Sequence, residues 1–419
     1  MKVTLINTAD NGGGAAVACK RLLKALQDEM NVKMLVQSKK TKNSAIITTV
    51  KKKIDFWLAQ IHFLWERLPF IAFYEKDKSV RFAFSTANAG TDISGNQSIL
   101  EADILHLHWI NHGFLSIKNI EKIFQSNKPI VWTLHDMWAF TGGCHYAGGC
   151  DYFMEHCGNC KFLRSPADDD ISRRGWLLKQ AIYLQNNKMV LVACSNWMAQ
   201  MAKKSSLLQG FRIEVIPNPI DTDLYKPLNR KDLRTKWGVS ADAKIVLFGA
   251  ANINDKRKGI TYLIQALHIL KNDISQAKNI QIVLFGKNNS LDISNLPYPA
   301  KSLPVITSEQ DLVEIYNLAD VFVLPSLEDN LPNMVMEALS CGIPVVAFNQ
   351  GGIPEMVDHQ KNGFIAHHKS AEDFAKGINW VLNISDESIK INARQKVLDN
   401  YSENLVVEKY TEVYRSMLN

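Results

Sequence analysis

Short apolar runs alternate along the chain with longer stretches in which apolar residues recur every three or four positions, and the alternation happens twice. The first series of runs covers residues 3–6, 33–36, 104–107, 130–134 and 189–193. The second covers 244–248, 281–285, 321–324 and 344–348. A run that is apolar throughout suits a strand buried on both faces of a parallel sheet. Strand, helix, strand in repetition is the rhythm of such a sheet. The first helix is expected over 15–26, and a later one over 260–270. Between the two series, Val215-Ile216-Pro217-Asn218-Pro219-Ile220-Asp221 and a charged stretch to Trp237 read as a connector. The expected domain boundary lies near 220–240. Leu405, Val406, Tyr410, Val413, Tyr414 and Met417 have the spacing of an amphipathic helix over 404–418. No strand follows it, so it must pack on something already built.

Residues 51–70 stand apart. Lys51, Lys52 and Lys53 precede a helical pattern with Ile54, Trp57, Leu58, Ile61, Leu64, Trp65 and Leu68 on one face. A basic, aromatic helix of this kind can lie on an anionic membrane surface. The plainer expectation is that the stripe packs on its own domain.

The most informative stretch runs from Pro325 to Gly342. It reads as the end of a buried strand, an acidic loop, and a helix with Pro332 in its first turn and Gly342 at its end. Loops at the carboxyl ends of parallel strands are where open α/β sheets bind ligands. Free N–H groups at a helix start favour anions. The carboxylates of Asp329 and Glu337 need another partner, and sugar hydroxyls supply one, since a carboxylate accepts two of them at once.

A chain of 419 residues is more than one core usually serves, which supports two domains. Its 46% hydrophobic and 21% charged content is that of an ordinary globular protein, not a disordered one. A net charge of +6 permits an anionic substrate or lipid surface and gives no nucleic-acid signature. The chain opens directly on a strand, and no apolar run reaches the ~18 residues of a membrane span. A cytoplasmic location is expected, with the inner face of the membrane as an option. Of the seven cysteines, Cys144, Cys150, Cys157 and Cys160 crowd together and end in a C-x2-C spacing. Such a set suits a structural zinc. Reduced thiols or a disulfide are the alternatives, and His145 and His156 are competing ligands. His106 and His108 alternate onto one strand face, where a polar cleft lining is favoured over a metal pair.

Taken together, several motifs resemble a family 4 retaining glycosyltransferase of the GT-B fold, of the bacterial surface-polysaccharide type. They are Asn11-Gly12-Gly13-Gly14-Ala15-Ala16, Trp132-Thr133-Leu134-His135-Asp136, Ile216-Pro217-Asn218-Pro219-Ile220-Asp221 and Arg257-Lys258-Gly259. The acidic helix motif, Gly351-Gly352-Ile353-Pro354-Glu355 and Asn362-Gly363 complete the series. The resemblance covers nearly the whole chain. It implies an α/β protein with two Rossmann-like domains facing a central cleft. An acceptor domain would span 1–225 and a donor domain 226–400, with a helix at 401–419 crossing back to the first. It implies sugar transfer with retention from a nucleotide-sugar donor, UDP- or GDP-linked, to a glycan or lipid-linked acceptor. The process would be exopolysaccharide, capsule or O-antigen assembly, without a required metal or a nucleic acid. A nucleotide-sugar epimerase or a non-catalytic binding protein on the same architecture is the alternative.

The resemblance also assigns roles. Lys258, assisted by Arg257, would face the diphosphate; Asn252 stands where the family usually has a further arginine. Gly13 and Gly14 would flank the transferred sugar and diphosphate, and His135 would touch that sugar or the acceptor. Asp136 is a weaker candidate beside it. Asp329 or its neighbour Glu328 would lie near the transferred sugar. Backbone N–H groups over Asn330, Leu331, Asn333 and Met334 would meet sugar and phosphate oxygens, and Glu337 would take the ribose hydroxyls.

Overall fold

The computed structural model describes residues 1–185, 188–273, 279–288 and 291–418. It divides into two compact units. Met1–Pro217 with Val406–Asn419 form the first, and Asn218–Leu405 the second. Residue 419, the last of the expected terminal helix, lies outside the described residues.

The first unit is built on a parallel sheet of seven strands: β1 (Lys2–Ala9), β2 (Asn31–Ser38), β3 (Ile46–Thr48), β4 (Ile104–Leu107), β5 (Ile130–Leu134), β6 (Met189–Ala193) and β7 (Arg212–Val215). Their spatial order is β3-β2-β1-β4-β5-β6-β7. The second unit has six parallel strands: β8 (Lys244–Asn252), β9 (Ile280–Lys287), β10 (Ala300–Ser302), β11 (Val321–Leu324), β12 (Val345–Phe348) and β13 (Gly363–Ala366). Their order is β10-β9-β8-β11-β12-β13. Each sheet therefore reverses its direction of growth once, between β1 and β4 and again between β8 and β11. Such a switch point opens a crevice at the carboxyl ends of the two strands. The loops there hold Gly12–Gly14, His108–Gly113, Lys258 and Glu328–Asp329.

Strands β4, β5, β6, β11 and β12 are buried at every position, which accounts for their unbroken apolar runs. The four strands that the apolar pattern does not announce are β3, β7, β10 and β13, and all four lie at sheet edges. An edge strand pairs on one side only and is kept short or polar, so it lacks such a run. β7 reads Arg-Ile-Glu-Val and is nowhere fully buried.

The helix Glu403–Leu418 packs on the first sheet, where Val406, Tyr410, Val413 and Tyr414 join the core of Val3, Leu5, Val131 and Val192. The line between the units falls at Pro217/Asn218 and at Leu405/Val406, not at 225 and 400. The reason is local: Ile220 N–H donates to the Tyr401 carbonyl at 3.0 Å, and Ile220 pairs with Ser402. These segments tie each other to the second unit. Pro332 stands one position before the helix Asn333–Ser340, as its cap, and not inside the first turn. Gly342, at φ 73°, closes that helix as expected.

The stripe at 51–70 is the main departure. The helix Lys53–Pro69 forms, but its apolar face is exposed, and only Ala59, Glu66 and Arg67 are buried. The helix is held by its charged groups and not by its stripe.

Candidate functional site

In the second unit, two glycines clasp the acidic loop after β11. At Gly259, φ 70°, an added Cβ would lie 1.9 Å from the Pro325 carbonyl oxygen. At Gly351, φ 61°, it would lie 1.8 Å from that of Asp329. Only glycine tolerates both the backbone angle and the approach. Leu327 N–H donates to the Arg257 carbonyl at 2.7 Å, and Gly352 N–H to that of Asn330 at 2.9 Å. The loop is thus tied to the turns that follow β8 and β12.

On this frame Lys258 Nζ meets Asp329 Oδ2 at 2.6 Å. The two side chains are 22% and 15% exposed. An ammonium has three donors, so two are left for an anion. Arg257 turns to Asp255 within its own turn at 2.8 Å and is 48% exposed. Glu328 is half-buried beside Asp329. Glu337 is 3% exposed, and its Oε2 accepts from the Tyr316 hydroxyl at 2.7 Å. Burial, with the Glu337 charge beside it, pushes the Tyr316 phenol well above its ordinary value, so it stays a donor. Asn330 and Leu331 are buried. Asn333 and Met334 are half-buried in the first turn of the helix, where Asn218 Nδ2 donates to Asn333 Oδ1 at 3.0 Å.

Histidines dominate the corresponding strand ends of the first unit. His135, just past β5, has Nε2 3.0 Å from His108 Nδ1 and Nδ1 3.9 Å from Cys194 Sγ. The His108 ring stacks between those of His106 and His135, with centroids 4.2 and 5.2 Å away. His106 is fully buried; Nδ1 meets the Tyr414 hydroxyl and Nε2 the Thr133 hydroxyl, each at 2.7 Å. His106 therefore does not line a surface with His108. β4 ends at Leu107, so the strand alternation stops before His108. Burial pulls His106 and His108 well below their ordinary values, takes His135 to about 4 and takes His112 to about 3. All four are neutral near pH 7, each offering one donor and one acceptor.

Asp136 organises this region. Its Oδ2 accepts from Trp109 Nε1 at 2.8 Å and pairs with His145 Nδ1 at 2.7 Å. Its Oδ1 accepts from Trp138 N–H at 2.8 Å. Burial alone would raise this carboxyl, but His145 and the two N–H donors outweigh it and hold it low. With that many partners, Asp136 positions the loop. The other nitrogen of His145 meets Ser85 Oγ at 3.0 Å, so its ring is committed and is not a metal ligand as the structure stands. His156 is exposed and lies outside the cysteine cavity.

Gly12 and Gly13 adopt φ 89° and 123° in an exposed loop that opens the helix Gly14–Leu26. Cys144, Cys150, Cys157 and Cys160 all line one cavity of about 20 Å³, roughly the room of a single water or ion. Among the described residues, no three His, Cys, Asp or Glu side chains stand close enough together to hold a metal ion. The thiol chemistry fits zinc, but the side chains as placed do not form a ligand group. Next to this lobe, the ammonium of Lys179 is buried against the Trp138 and Thr141 carbonyls, 3.5 Å over the Trp138 ring. Burial lowers its value to about 7. Lys179 and Tyr316 carry no signal in the sequence beyond their residue type, and the pairing of Asp136 with His145 carries none either.

The comparisons with known proteins follow the same division. The profile described as Glycosyltransferase Family 4 matches residues 12–224, half of the chain. That of Glycosyl transferases group 1 matches 229–396. An uncharacterized glycosyltransferase of Methanocaldococcus jannaschii is 26% identical over 74% of this chain and 82% of its own length. Two Escherichia coli relatives align over less of themselves. The putative colanic acid biosynthesis glycosyl transferase WcaC is 27% identical, over 62% of each chain. The UDP-Gal:alpha-D-GlcNAc-diphosphoundecaprenol alpha-1,3-galactosyltransferase is 25% identical, over 54% of this chain and 60% of its own. HepE of Anabaena, solved with UDP and glucose, superposes with a TM-score of 0.63 at 17% identity, covering 99% of this chain and 100% of its own. The fold is GT-B, and the chain belongs to glycosyltransferase family 4.

Proposed function

We propose that the protein is a retaining glycosyltransferase that moves a sugar from a nucleotide-sugar donor to a glycan or lipid-linked acceptor in surface-polysaccharide assembly. The carrying observation is the Lys258–Asp329 pair at 2.6 Å, fixed at the β8/β11 switch point. In the reaction the bond between the anomeric carbon and the diphosphate oxygen breaks, and the acceptor oxygen bonds to that carbon on the same face. The acceptor proton passes to the departing phosphate oxygen, so no protein base is needed. Negative charge grows on the diphosphate, and the two remaining Lys258 donors would meet it. Asp329 holds that ammonium in place and, with Glu328, borders the sugar. Glu337 has one oxygen fixed by Tyr316 and would take ribose hydroxyls with the carboxylate so oriented. Gly13, Gly14 and His135 would serve the sugar and the acceptor from the first unit. A neutral His135 suits a hydroxyl better than a phosphate.

A UDP-linked donor is favoured because the HepE structure holds UDP and the galactosyltransferase is named for UDP-Gal. The latter's name also supports a lipid diphosphate acceptor. A thermal-shift screen over nucleoside diphosphates tests the donor, because a ligand that binds only the folded state raises the melting temperature. UDP should shift it, and no shift from any nucleoside diphosphate would overturn the reading. Donor consumed without an acceptor and returned as its epimer would overturn it too.

A structural zinc at Cys144, Cys150, Cys157 and Cys160 belongs to the same proposal, supported by their shared cavity. Bound there, a zinc would brace the loop that follows His135. Elemental analysis of the purified chain should find one zinc, lost in a Cys157→Ser, Cys160→Ser variant. A metal-free, fully folded chain would remove this part.

A further inference from the structure

The helix Lys53–Pro69 is turned inside out. Its buried side chains include an ion pair, Glu66 with Arg67 at 2.9 Å. Glu66 also accepts from Gly113 N–H, and Arg67 donates to the carbonyls of Phe84 at 2.8 Å and Arg81 at 2.9 Å. These polar contacts anchor the helix inward. Its apolar face looks outward: Trp57 is 62% exposed, Ile61 51%, Trp65 65% and Leu68 55%. The spacing of four, four and three keeps them on one stripe. Phe73, 72% exposed, continues it beyond the helix. A contiguous apolar stripe with two exposed tryptophans marks a surface meant to be covered.

The charges around the stripe say what covers it. Lys51, Lys52 and Lys53 are exposed at the helix start, and Lys76 and Lys78 beyond its end. Nearby acids are mostly engaged: Asp55 accepts from the Lys51 and Lys52 N–H groups, and Glu75 is buried against Arg81 at 2.7 Å. Asp77 is exposed and accepts from Ser79 N–H at 2.7 Å. A second copy would bring these lysines against their equals. An anionic bilayer surface takes both features, lysines in the headgroups and Trp, Ile and Leu at the acyl boundary. Helices that lie in an interface have this make-up, and none of the helices among the described residues is long and apolar enough to cross a membrane.

We infer that the face carrying Trp57, Trp65 and Phe73, flanked by Lys51–Lys53, docks the first unit on an anionic lipid bilayer. The face lies next to the histidine loops. A Cβ on Gly113 would strike Phe63 N at 2.5 Å, so the helix backbone lies against the loop after β4. The Phe63 ring is 6.0 Å from His112, and His112 is 4.6 Å from Trp109, which donates to Asp136. Docking would hold these loops at the surface where a lipid-linked acceptor has its headgroup. That last step rests on the proposed transferase activity; the docking does not.

Co-sedimentation of the full chain with vesicles separates the two. Vesicles of phosphatidylcholine with an equal part of phosphatidylglycerol should pull the protein down, and pure phosphatidylcholine should do so at least about tenfold less well. Trp57→Ser with Trp65→Ser should abolish the binding while leaving circular dichroism unchanged, since both side chains face out. Lys51→Gln, Lys52→Gln and Lys53→Gln together should weaken it at least about tenfold. The proposal is overturned if the wild type ignores anionic vesicles or if the tryptophan variant binds as well as wild type. It is also overturned if the wild type is a dimer that the tryptophan variant dissolves. Vesicle binding without sugar transfer under any donor would leave docking intact and remove the enzymatic reading instead.

Discussion

Past the strand ends of the first unit stand His108, His112 and His135, backed by His106 inside β4, and burial keeps all four neutral; at those of the second stand a lysine and three acids around a glycine-clasped loop. Both sheets are parallel, and both reverse at one switch point. The difference lies in what their loops can recognise. Neutral imidazoles donate one hydrogen bond and accept one, which matches hydroxyl groups. The Lys258–Asp329 loop offers cationic donors and carboxylates, which match a diphosphate and a ribose. On the proposed transferase reading, the same architecture would serve two recognition chemistries, decided by a few loop residues.

Acid tests this contrast most severely. His112 and His135 have folded-state values of about 3 and about 4, below their ordinary 6.5. His106 and His108 are shifted the same way. A group whose folded value is lowered binds fewer protons in the folded state. As pH falls through 6.5, the unfolded chain takes up protons that the folded unit refuses, and stability drops. Asp136, held low, adds to the loss in the same direction at lower pH. The first unit should therefore lose several kcal/mol, about 1.4 per pH unit for each such group, between pH 6.5 and 4. It holds all but Trp237 and Trp380 of the nine tryptophans, so urea unfolding followed by tryptophan fluorescence reports on it. An unchanged midpoint from pH 7.5 to pH 5 would break the contrast.

The next effect is confined to the second unit. Lys258→Ala should lower kcat about 10²–10³-fold, the usual cost of one donor aimed at developing charge. The acid sensitivity of the first unit should be untouched. If kcat falls less than about tenfold, the diphosphate is met by something other than Lys258.

Much of this layout was legible in the sequence, for reasons that also explain what was not. Strands buried on both faces must be apolar throughout, so β4, β5, β6 and β11 could be read to the residue. Edge strands such as β10, Ala-Lys-Ser, carry no such constraint. Lys258, Asp329 and Glu337 belong to motifs in which neighbours in sequence are neighbours in space. Tyr316 lies 21 residues before Glu337, on a helix where a tyrosine reads as core packing. The orientation of the helix Lys53–Pro69 was hidden for another reason. Periodicity reveals that a stripe exists but not which way it faces, and here the Glu66–Arg67 pair decides.

Tyr316→Phe sharpens the second unit's side at a smaller scale. It leaves a buried carboxylate oxygen without its donor, which costs about 1–3 kcal/mol. If Glu337 serves the ribose, nucleotide affinity should fall about tenfold as the carboxylate turns. A lowered melting temperature with unchanged nucleotide affinity would make Glu337 a purely structural acid.

The smallest effect concerns the one place where the last helix enters the histidine network. Tyr414 reaches His106 across 308 positions of sequence, and Tyr410 reaches Thr133 at 3.0 Å, so the helix Glu403–Leu418 is bonded to His106 and to the hydroxyl that His106 also meets, and the His106 ring in turn lies against His108. Tyr414→Phe removes one of these contacts and leaves His106 Nδ1 buried without it, at a cost of about 1–3 kcal/mol. The helix keeps Val406, Val413 and the ring of residue 414 in the core, so it should stay docked. Its consequence should appear as lower first-unit stability at neutral pH with unchanged nucleotide binding in the second unit. Combined with His106→Asn, a double-mutant cycle measures the coupling directly. Coupling near zero would mean that the terminal helix holds the first unit by its apolar face alone and leaves the histidines to their own packing.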